Sequence, residues 1–123
     1  MTIKAMNEQT LTAKREQYRD ALEDAVQQIV TALAHRPEVE RAILFGSYAR
    51  GRRDLFTDLD ILIVMDSPLD FVSRTAEMYR DLHCPVDLDL LVYTPDELAR
   101  NRGRGFIRRA LEKGTVIYEK RAT

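Results

Sequence analysis

The sequence predicts an α/β fold in which a small mixed β-sheet is flanked by helices and preceded by a long N-terminal helix. Two patterns indicate this fold. Short apolar runs that are typical of buried strands alternate with longer stretches whose apolar residues recur every three or four positions, the spacing of an amphipathic helix. The four runs expected as strands are Val39–Phe45, Leu59–Met65, Val86–Tyr93 and Thr115–Glu119.

The expected helices begin and end at recognisable signals. Thr10 or Thr12 is a candidate N-cap of the long first helix. Ser67, followed by a proline and then an acid, predicts the start of the second helix, and Thr94 precedes another proline and two acids in the same way. A short last helix is expected to end at Gly114.

Size and charge limit the classes of protein that are possible. A chain of 123 residues with 45% hydrophobic residues is expected to form a single domain, residues 1–123, with residues 1–9 as a flexible arm. Its 19 basic and 20 acidic residues give a net charge of −1, so no overall field draws it to nucleic acid or to an anionic membrane. The single Cys84 forms no internal disulfide, and no stretch reads as a signal peptide or membrane span. We therefore expect a soluble, cytoplasmic protein.

One stretch combines residues suited to phosphate and metal chemistry. Gly46 and Ser47 leave the first strand in a turn, and Asp58 and Asp60 open the next strand. Because side chains at i and i+2 of a strand point the same way, the two carboxylates share one face and can share hard cations. Glycine lets the backbone approach a ligand, and a helix that begins near Ser47 would present free N–H groups to phosphate oxygens.

The stretch Gly46–Asp60, with a glycine–serine pair, ten intervening residues and an Asp-x-Asp pair, resembles the active-site signature of minimal nucleotidyltransferases of the DNA polymerase β superfamily. That family carries a third acid on the neighbouring strand, four residues before a Tyr-Thr-Pro-like turn, which selects Asp89. Asp87 shares the face of Asp89 by parity and stays open as the alternative. The resemblance implies the palm-like sheet core of the family.

The resemblance also implies a reaction, the transfer of AMP from ATP to a hydroxyl group with the help of two Mg²⁺ ions. The catalytic acids and metal ligands that it implies are Asp58, Asp60 and Asp89. Gly46 and Ser47 would hold the β- and γ-phosphates. Arg50 is open between a triphosphate contact and a structural ion pair, whereas Arg52 and Arg53 are expected to be solvated.

The acceptor is expected to come from a partner. Minimal nucleotidyltransferases of this size are often the antitoxins of two-gene modules and adenylylate a tyrosine of a HEPN-type ribonuclease toxin, so the resemblance implies such a partner. Two alternatives stay open: a non-catalytic binding protein of the same fold, and an antibiotic-type nucleotidyltransferase, which could use a homo-oligomer to build its acceptor pocket. A nucleic-acid partner is disfavoured by the net charge and by the lack of room for a primer-binding domain. The basic segment Arg100–Lys113 is either a solvated surface or a contact for an acidic partner or for nucleotide phosphates.

Overall fold

A computed structural model describes residues 8–121 of the chain. The order of its elements alternates helices and strands, as the hydrophobic pattern predicts. The helices and strands are α1 (Glu8–Ala34), β1 (Val39–Phe45), α2 (Gly46–Ala49), β2 (Leu59–Met65), α3 (Phe71–Asp81), β3 (Leu88–Tyr93), α4 (Pro95–Asn101), α5 (Gly105–Lys113) and β4 (Thr115–Glu119).

The four strands form one mixed sheet in the order β3-β2-β1-β4. Strand β1 runs antiparallel to both β2 and β4, whereas β2 and β3 are parallel. The register opposes Asp60 to Phe45 on one side and to Asp89 on the other. The predicted mixed α/β fold with a long N-terminal helix is confirmed.

Helices cover both faces of this sheet. On one face, Leu22 and Ile29 of α1 and Met78 of α3 pack against the odd-numbered residues of β2. On the other face, Leu98 of α4 and Ile107 of α5 pack against the even-numbered ones. Strand β2 is therefore buried from both sides, which explains why its sequence is apolar at almost every position. Among the helices of residues 8–121, none has the length and apolar character to cross a membrane.

The first helix begins earlier than its sequence signals suggest. Helix α1 starts at Glu8, so neither Thr10 nor Thr12 is its N-cap, and residues 8 and 9 belong to the helix rather than to the predicted arm. The rest of that arm lies outside the described residues. Glutamate in the first turn interacts favourably with the helix dipole, which is a reason for a helix to start here without a Thr cap.

Two further boundaries also differ from the expectation. Helix α3 begins at Phe71, and its N-cap is Asp70, whose carboxylate accepts a 2.8 Å hydrogen bond from the backbone N–H of Ser73. Ser67 instead accepts a hydrogen bond from the N–H of Leu69, so the expected start at Ser67 is a turn before the helix. Strand β3 starts at Leu88, two residues later than predicted. The caps at the later helices are as expected, with a complete capping box at Thr94 and a C-cap at Gly114.

A buried arginine connects three elements, and the sequence pattern does not predict its burial. The side chain of Arg74 in α3 is only 3% exposed. It donates hydrogen bonds to the carbonyl oxygens of Leu69 and of Val92 in β3, and it pairs with Glu97 in α4. The hydrogen bond from Arg74 to Glu97, more than any other cause, lowers the pKa of the Glu97 carboxyl to about 2. Because all these partners are satisfied, the charge is tolerated in the core.

Candidate active site

The parallel pairing of β2 and β3 brings two of the predicted acids together. Asp60 and Asp89 are direct neighbours in the register, and their carboxyl groups lie close enough for the charge of Asp89 to act on Asp60. Burial, and then the negative charges of Asp89 and Asp58, raise the pKa of the Asp60 carboxyl to about 6, and the nearby Arg50 acts in the opposite direction. The charges of the other two acids expected from the sequence therefore both act on Asp60, and the three acids are called the acidic cluster below.

Asp87, the alternative third acid, has a different position. It lies just before β3, where its backbone carbonyl accepts a 3.0 Å hydrogen bond from the N–H of Leu59. Its charge acts on Tyr18 of α1: burial first, then Asp87 and Asp58, raise the pKa of the Tyr18 hydroxyl. Asp87 is not among the largest causes of the pKa shift of Asp60, whereas Asp89 is. The geometry therefore favours Asp89 over Asp87 as the third acid of the cluster.

Gly46 connects the glycine–serine turn to the carboxylates. Its φ of +76° lies in the left-handed region, and a Cβ atom built on it would lie 2.1 Å from Oδ2 of Asp60. No residue with a side chain fits at such a separation, and the backbone angle is unfavourable for one as well. Only glycine allows the turn at the start of α2, which continues with Ser47, to lie directly against the Asp60 carboxyl.

The three arginines of the following loop have different surroundings. Arg52 pairs with Asp54 at 2.6 Å. The guanidinium group of Arg53 lies 3.5 Å from the ring centroid of Tyr48 and donates a 2.7 Å hydrogen bond to its carbonyl oxygen. Arg52 is exposed, as expected, although it forms this ion pair, whereas Arg53 packs against Tyr48 and is less solvated than expected. Arg50 is exposed and forms no side-chain hydrogen bond or ion pair with any residue of 8–121.

Two residues that the sequence did not single out hold the loop in front of Asp58. Thr57 is fully buried, and its hydroxyl accepts a 2.9 Å hydrogen bond from the N–H of Asp54. Its carbonyl oxygen accepts a 2.8 Å hydrogen bond from the hydroxyl of Tyr18. The Asp54-x-x-Thr57 spacing, typical of a side-chain-stabilised turn, is the one sequence signal for this arrangement.

The donor atoms of the cluster suit a hard cation. Carboxylate oxygens are what Mg²⁺ prefers, and a cation between Asp60 and Asp89 would relieve the repulsion that raises the pKa of Asp60. Within the part of the chain that the structure describes, no three acid, histidine or cysteine side chains are already arranged around a metal position. Mg²⁺ can be held by only one or two carboxylates, with water and substrate phosphates completing its shell, and the neighbouring Asp60 and Asp89 carboxyls provide such a pair. The residues present therefore fit the ion.

A cavity of about 570 Å³ lies between α2 and α5, and Gly46 is one of the residues that line it. It lies on the sheet face that carries Asp60, since Phe45, the residue opposed to Asp60, lines it. Arg109 and Lys113 of α5 also line it, so part of the predicted basic segment borders the site. The site thus consists of an acidic cluster and a basic cavity that meet at one glycine.

A mixed sheet in which the two parallel strands, β2 and β3, carry paired aspartates beside a glycine–serine turn is the architecture of a nucleotidyltransferase. Residues 27–123 match the sequence model of the family described as Polymerase beta, Nucleotidyltransferase, and the chain belongs to this family.

Individual relatives agree with this assignment. The chain is 35% identical over 98 residues to MJ0604 of Methanocaldococcus jannaschii, a protein to which protein adenylyltransferase activity has been ascribed; the match covers 78% of this chain and 97% of that protein. Among solved structures, a Sulfolobus solfataricus protein ascribed to the nucleotidyltransferases is similar with a TM-score of 0.54 at 18% identity, covering 89% of this chain and 87% of the other.

Two toxin–antitoxin structures also share the fold. One was solved with AMP-PNP and has a TM-score of 0.52 at 22% identity, covering 77% of this chain and 73% of the other. The second is a mutant of the MntA–HpeT pair, with a TM-score of 0.50 at 20% identity and the same coverage. At these identities the likeness establishes the fold.

Proposed function

We propose that this protein is a Mg²⁺-dependent adenylyltransferase that moves AMP from ATP to a tyrosine hydroxyl of a HEPN-type toxin and thereby acts as its antitoxin. The observation that carries the proposal is the direct contact between the Gly46 turn and the Asp60 carboxyl, with Asp89 beside it. This contact joins a phosphate-binding element to a cation-binding element at one point. The activity ascribed to MJ0604 and the toxin–antitoxin structures of the same fold support the choice of reaction and partner.

Different residues would bind the metal ions and the phosphates in a nucleotidyl transfer. Asp58, Asp60 and Asp89 would hold two Mg²⁺ ions, which supply charge neutralisation at the α-phosphate and lower the pKa of the attacking hydroxyl. The backbone of Gly46 and the hydroxyl of Ser47 would hold the β- and γ-phosphates, and the unpaired Arg50 would add positive charge to them.

The transfer needs no reactant besides ATP and the acceptor hydroxyl, because every bond formed is matched by a bond broken. The acceptor oxygen forms a bond to the α-phosphorus of ATP, and the bond from that phosphorus to the bridging oxygen of the β-phosphate breaks. The Asp89 carboxylate takes the proton of the hydroxyl, and pyrophosphate leaves with the electron pair. The AMP remains on the acceptor as a phosphodiester.

The acceptor side of the site is open. Phe56, at the tip of the loop before β2, is 81% exposed and lies two residues from Asp58. A large apolar side chain in that position is suited to contact a protein that carries the acceptor hydroxyl. Binding would position the hydroxyl, which is where much of the acceleration of a two-substrate reaction originates. We assign this reaction to the cytoplasm, where ATP is available and Cys84 stays a thiol.

Co-expression with the helical protein of the adjacent gene tests the proposal. We expect the partner to gain the mass of one AMP and growth arrest to be relieved with the wild-type protein, but not with the Asp58→Ala/Asp60→Ala variant. Asp96→Ala, which removes an exposed acid of α4 away from the cluster, is the matched control and should act as wild type. Relief without any added mass would support the non-catalytic binding protein instead. If the two proteins form no complex and growth arrest is not relieved, the antitoxin role is contradicted.

A further inference from the structure

We propose that helix α5 is part of the nucleotide site and binds the terminal phosphates of the nucleoside triphosphate through Arg109 and Lys113. The inference rests on the proposed nucleotidyl transfer and extends its site from α2 across the cavity to α5. It assigns a role to part of the basic segment that composition alone left undecided.

The charge of the cavity is the first argument. Three cationic side chains line it, Arg50 from the end of α2 and Arg109 and Lys113 from α5, and no acidic residue does. The three side chains are exposed, and their like charges make the cavity electropositive and attractive to an anion. The anion available to this enzyme class is a polyphosphate.

The pairing of the neighbouring arginines is the second argument. Arg108, adjacent to Arg109 on the same helix, forms an ion pair with Glu112 at 3.1 Å, and Arg52 pairs with Asp54. Arg109 and Lys113 have no ion-pair partner within residues 8–121. These two cations, like Arg50, therefore contribute no ion pair to the fold and are available to a ligand.

The third argument is that α5 is held firmly where its cations are needed. At its C-terminal end, a Cβ atom on Gly114 would lie 2.4 Å from the carbonyl oxygen of Ala110 and 2.5 Å from Cγ2 of Ile43, so helix and β1 are in close contact. Near its N-terminal end, the rings of Phe106 and Phe45 pack with centroids 6.4 Å apart. A helix fixed at both ends presents its charges without the entropic cost of ordering a loop.

The position of the cavity selects the terminal phosphates rather than the base. Gly46 lies against the Asp60 carboxyl, where the α-phosphate must react, and it also lines the cavity. A triphosphate that reacts at Asp60 and passes Gly46 directs its β- and γ-phosphates into the cavity. Charge-assisted hydrogen bonds from Arg109 and Lys113 would hold these groups and, after transfer, the pyrophosphate.

Binding of inorganic pyrophosphate, ATP and AMP to the full chain, measured by calorimetry with Mg²⁺, tests this inference. Arg109→Ala and Lys113→Ala should each weaken the binding of pyrophosphate and ATP about tenfold, because each removes a hydrogen bond to a charged group, and should change AMP binding less than twofold. Lys113→Arg, which keeps the charge, should retain at least half of the affinity. Arg108→Ala is the matched control, with the same change of charge on the same helix, and should stay within twofold of wild type for all three ligands.

The outcomes separate this inference from the proposed function. If Arg109→Ala and Lys113→Ala bind pyrophosphate as wild type does, or lose AMP and ATP affinity equally, the inference about α5 is wrong even if AMP transfer continues. Absence of pyrophosphate binding by the wild type would also overturn it. If the wild type binds pyrophosphate through these residues but transfers no AMP, the phosphate site stands and the proposed transfer is wrong.

Discussion

Replacing Asp60 by Asn should stabilise the metal-free protein at neutral pH, although Asp60 is central to the proposed reaction. The structure places its carboxyl beside Asp89 and Asp58 and partly out of water, which raises its pKa to about 6. Ionisation of Asp60 therefore works against folding. Asn has nearly the same shape, can donate a hydrogen bond to the Asp89 carboxylate and carries no charge.

The sign and size of the effect follow from proton linkage. In the unfolded chain an aspartate ionises near pH 3.9, whereas Asp60 in the folded protein keeps its proton to about pH 6. The folded state therefore binds more protons between these values, and stability falls as the pH rises from about 4 to about 6. The full shift of about two units corresponds to about 3 kcal/mol, and solvent screening of this partly exposed group reduces it to about 1–2 kcal/mol. For a chain of this length that is a rise in Tm of about 3–8 °C in the Asn variant.

Thermal unfolding in the presence of a chelator, at pH 7.5 and at pH 4, measures the effect. We expect Asp60→Asn to melt above the wild type at pH 7.5, and the difference to shrink to about a quarter or less at pH 4, where Asp60 is protonated in the folded state. Asp87→Asn, an exposed acid at the same edge of the sheet, is the control and should not raise the Tm in this way. An Asn variant that melts at or below the wild-type temperature at pH 7.5, or by the same margin at both pH values, would refute the reasoning.

Three further predictions concern residues around the site. Gly46→Ala should abolish transfer and lower the free energy of unfolding by about 1–3 kcal/mol, since its Cβ would meet Asp60 at 2.1 Å; Gly103→Ala, whose Cβ meets nothing within 4 Å, should do neither in denaturant and activity assays. Tyr18→Phe should cost about 1 kcal/mol in urea unfolding and lower kcat, because it removes the 2.8 Å hydrogen bond that holds the loop before β2. Glu97→Gln should flatten the acid side of the stability profile, because the depressed pKa of Glu97 gives stability that is present above about pH 4 and lost as the pH falls toward 2.

Each of these three has a result that would contradict it. An active Gly46→Ala enzyme would show that the turn and the carboxylate need not touch. A Tyr18→Phe variant with unchanged kcat would restrict that hydrogen bond to stability. If the free energy of unfolding of Glu97→Gln falls at acid pH as that of the wild type does, the ionisation of Glu97 beside Arg74 contributes nothing to stability.

The local elements could be predicted from the sequence because each has a local cause. Apolar runs bounded by turn residues gave the strands, and Thr94 and Gly114 mark helix ends through backbone groups only a few residues away. The spacing of Asp58 and Asp60 likewise depends on a single strand. Ser67 and Asp70 are both possible N-caps of α3. The sequence does not determine which one caps the helix, because that depends on where α3 must begin in order to pack on the sheet.

Features made by distant residues could not be predicted in this way. Strand parity alone left both Asp87 and Asp89 open and only the resemblance selected Asp89, whereas the parallel register of β2 and β3 places Asp89 directly opposite Asp60. From the sequence, a charged residue such as Arg74 in a helix is expected to be exposed. Only the packing of α4 gives its guanidinium group an acid partner in the core. The basic cavity is equally a product of tertiary structure, since Arg50 and Arg109 are 59 positions apart.

Transfer of label from α-phosphate-labelled ATP to the partner protein, with purified wild type and single variants of the acid cluster, tests the central claim most directly. We predict that the wild type labels the partner only with Mg²⁺ present, that Asp60→Asn and Asp89→Asn do not label it although both fold, and that Asp87→Asn labels it as the wild type does. Label transfer by Asp60→Asn would place the reaction outside this site. Full transfer by Asp89→Asn together with loss in Asp87→Asn would contradict the assignment of the third acid.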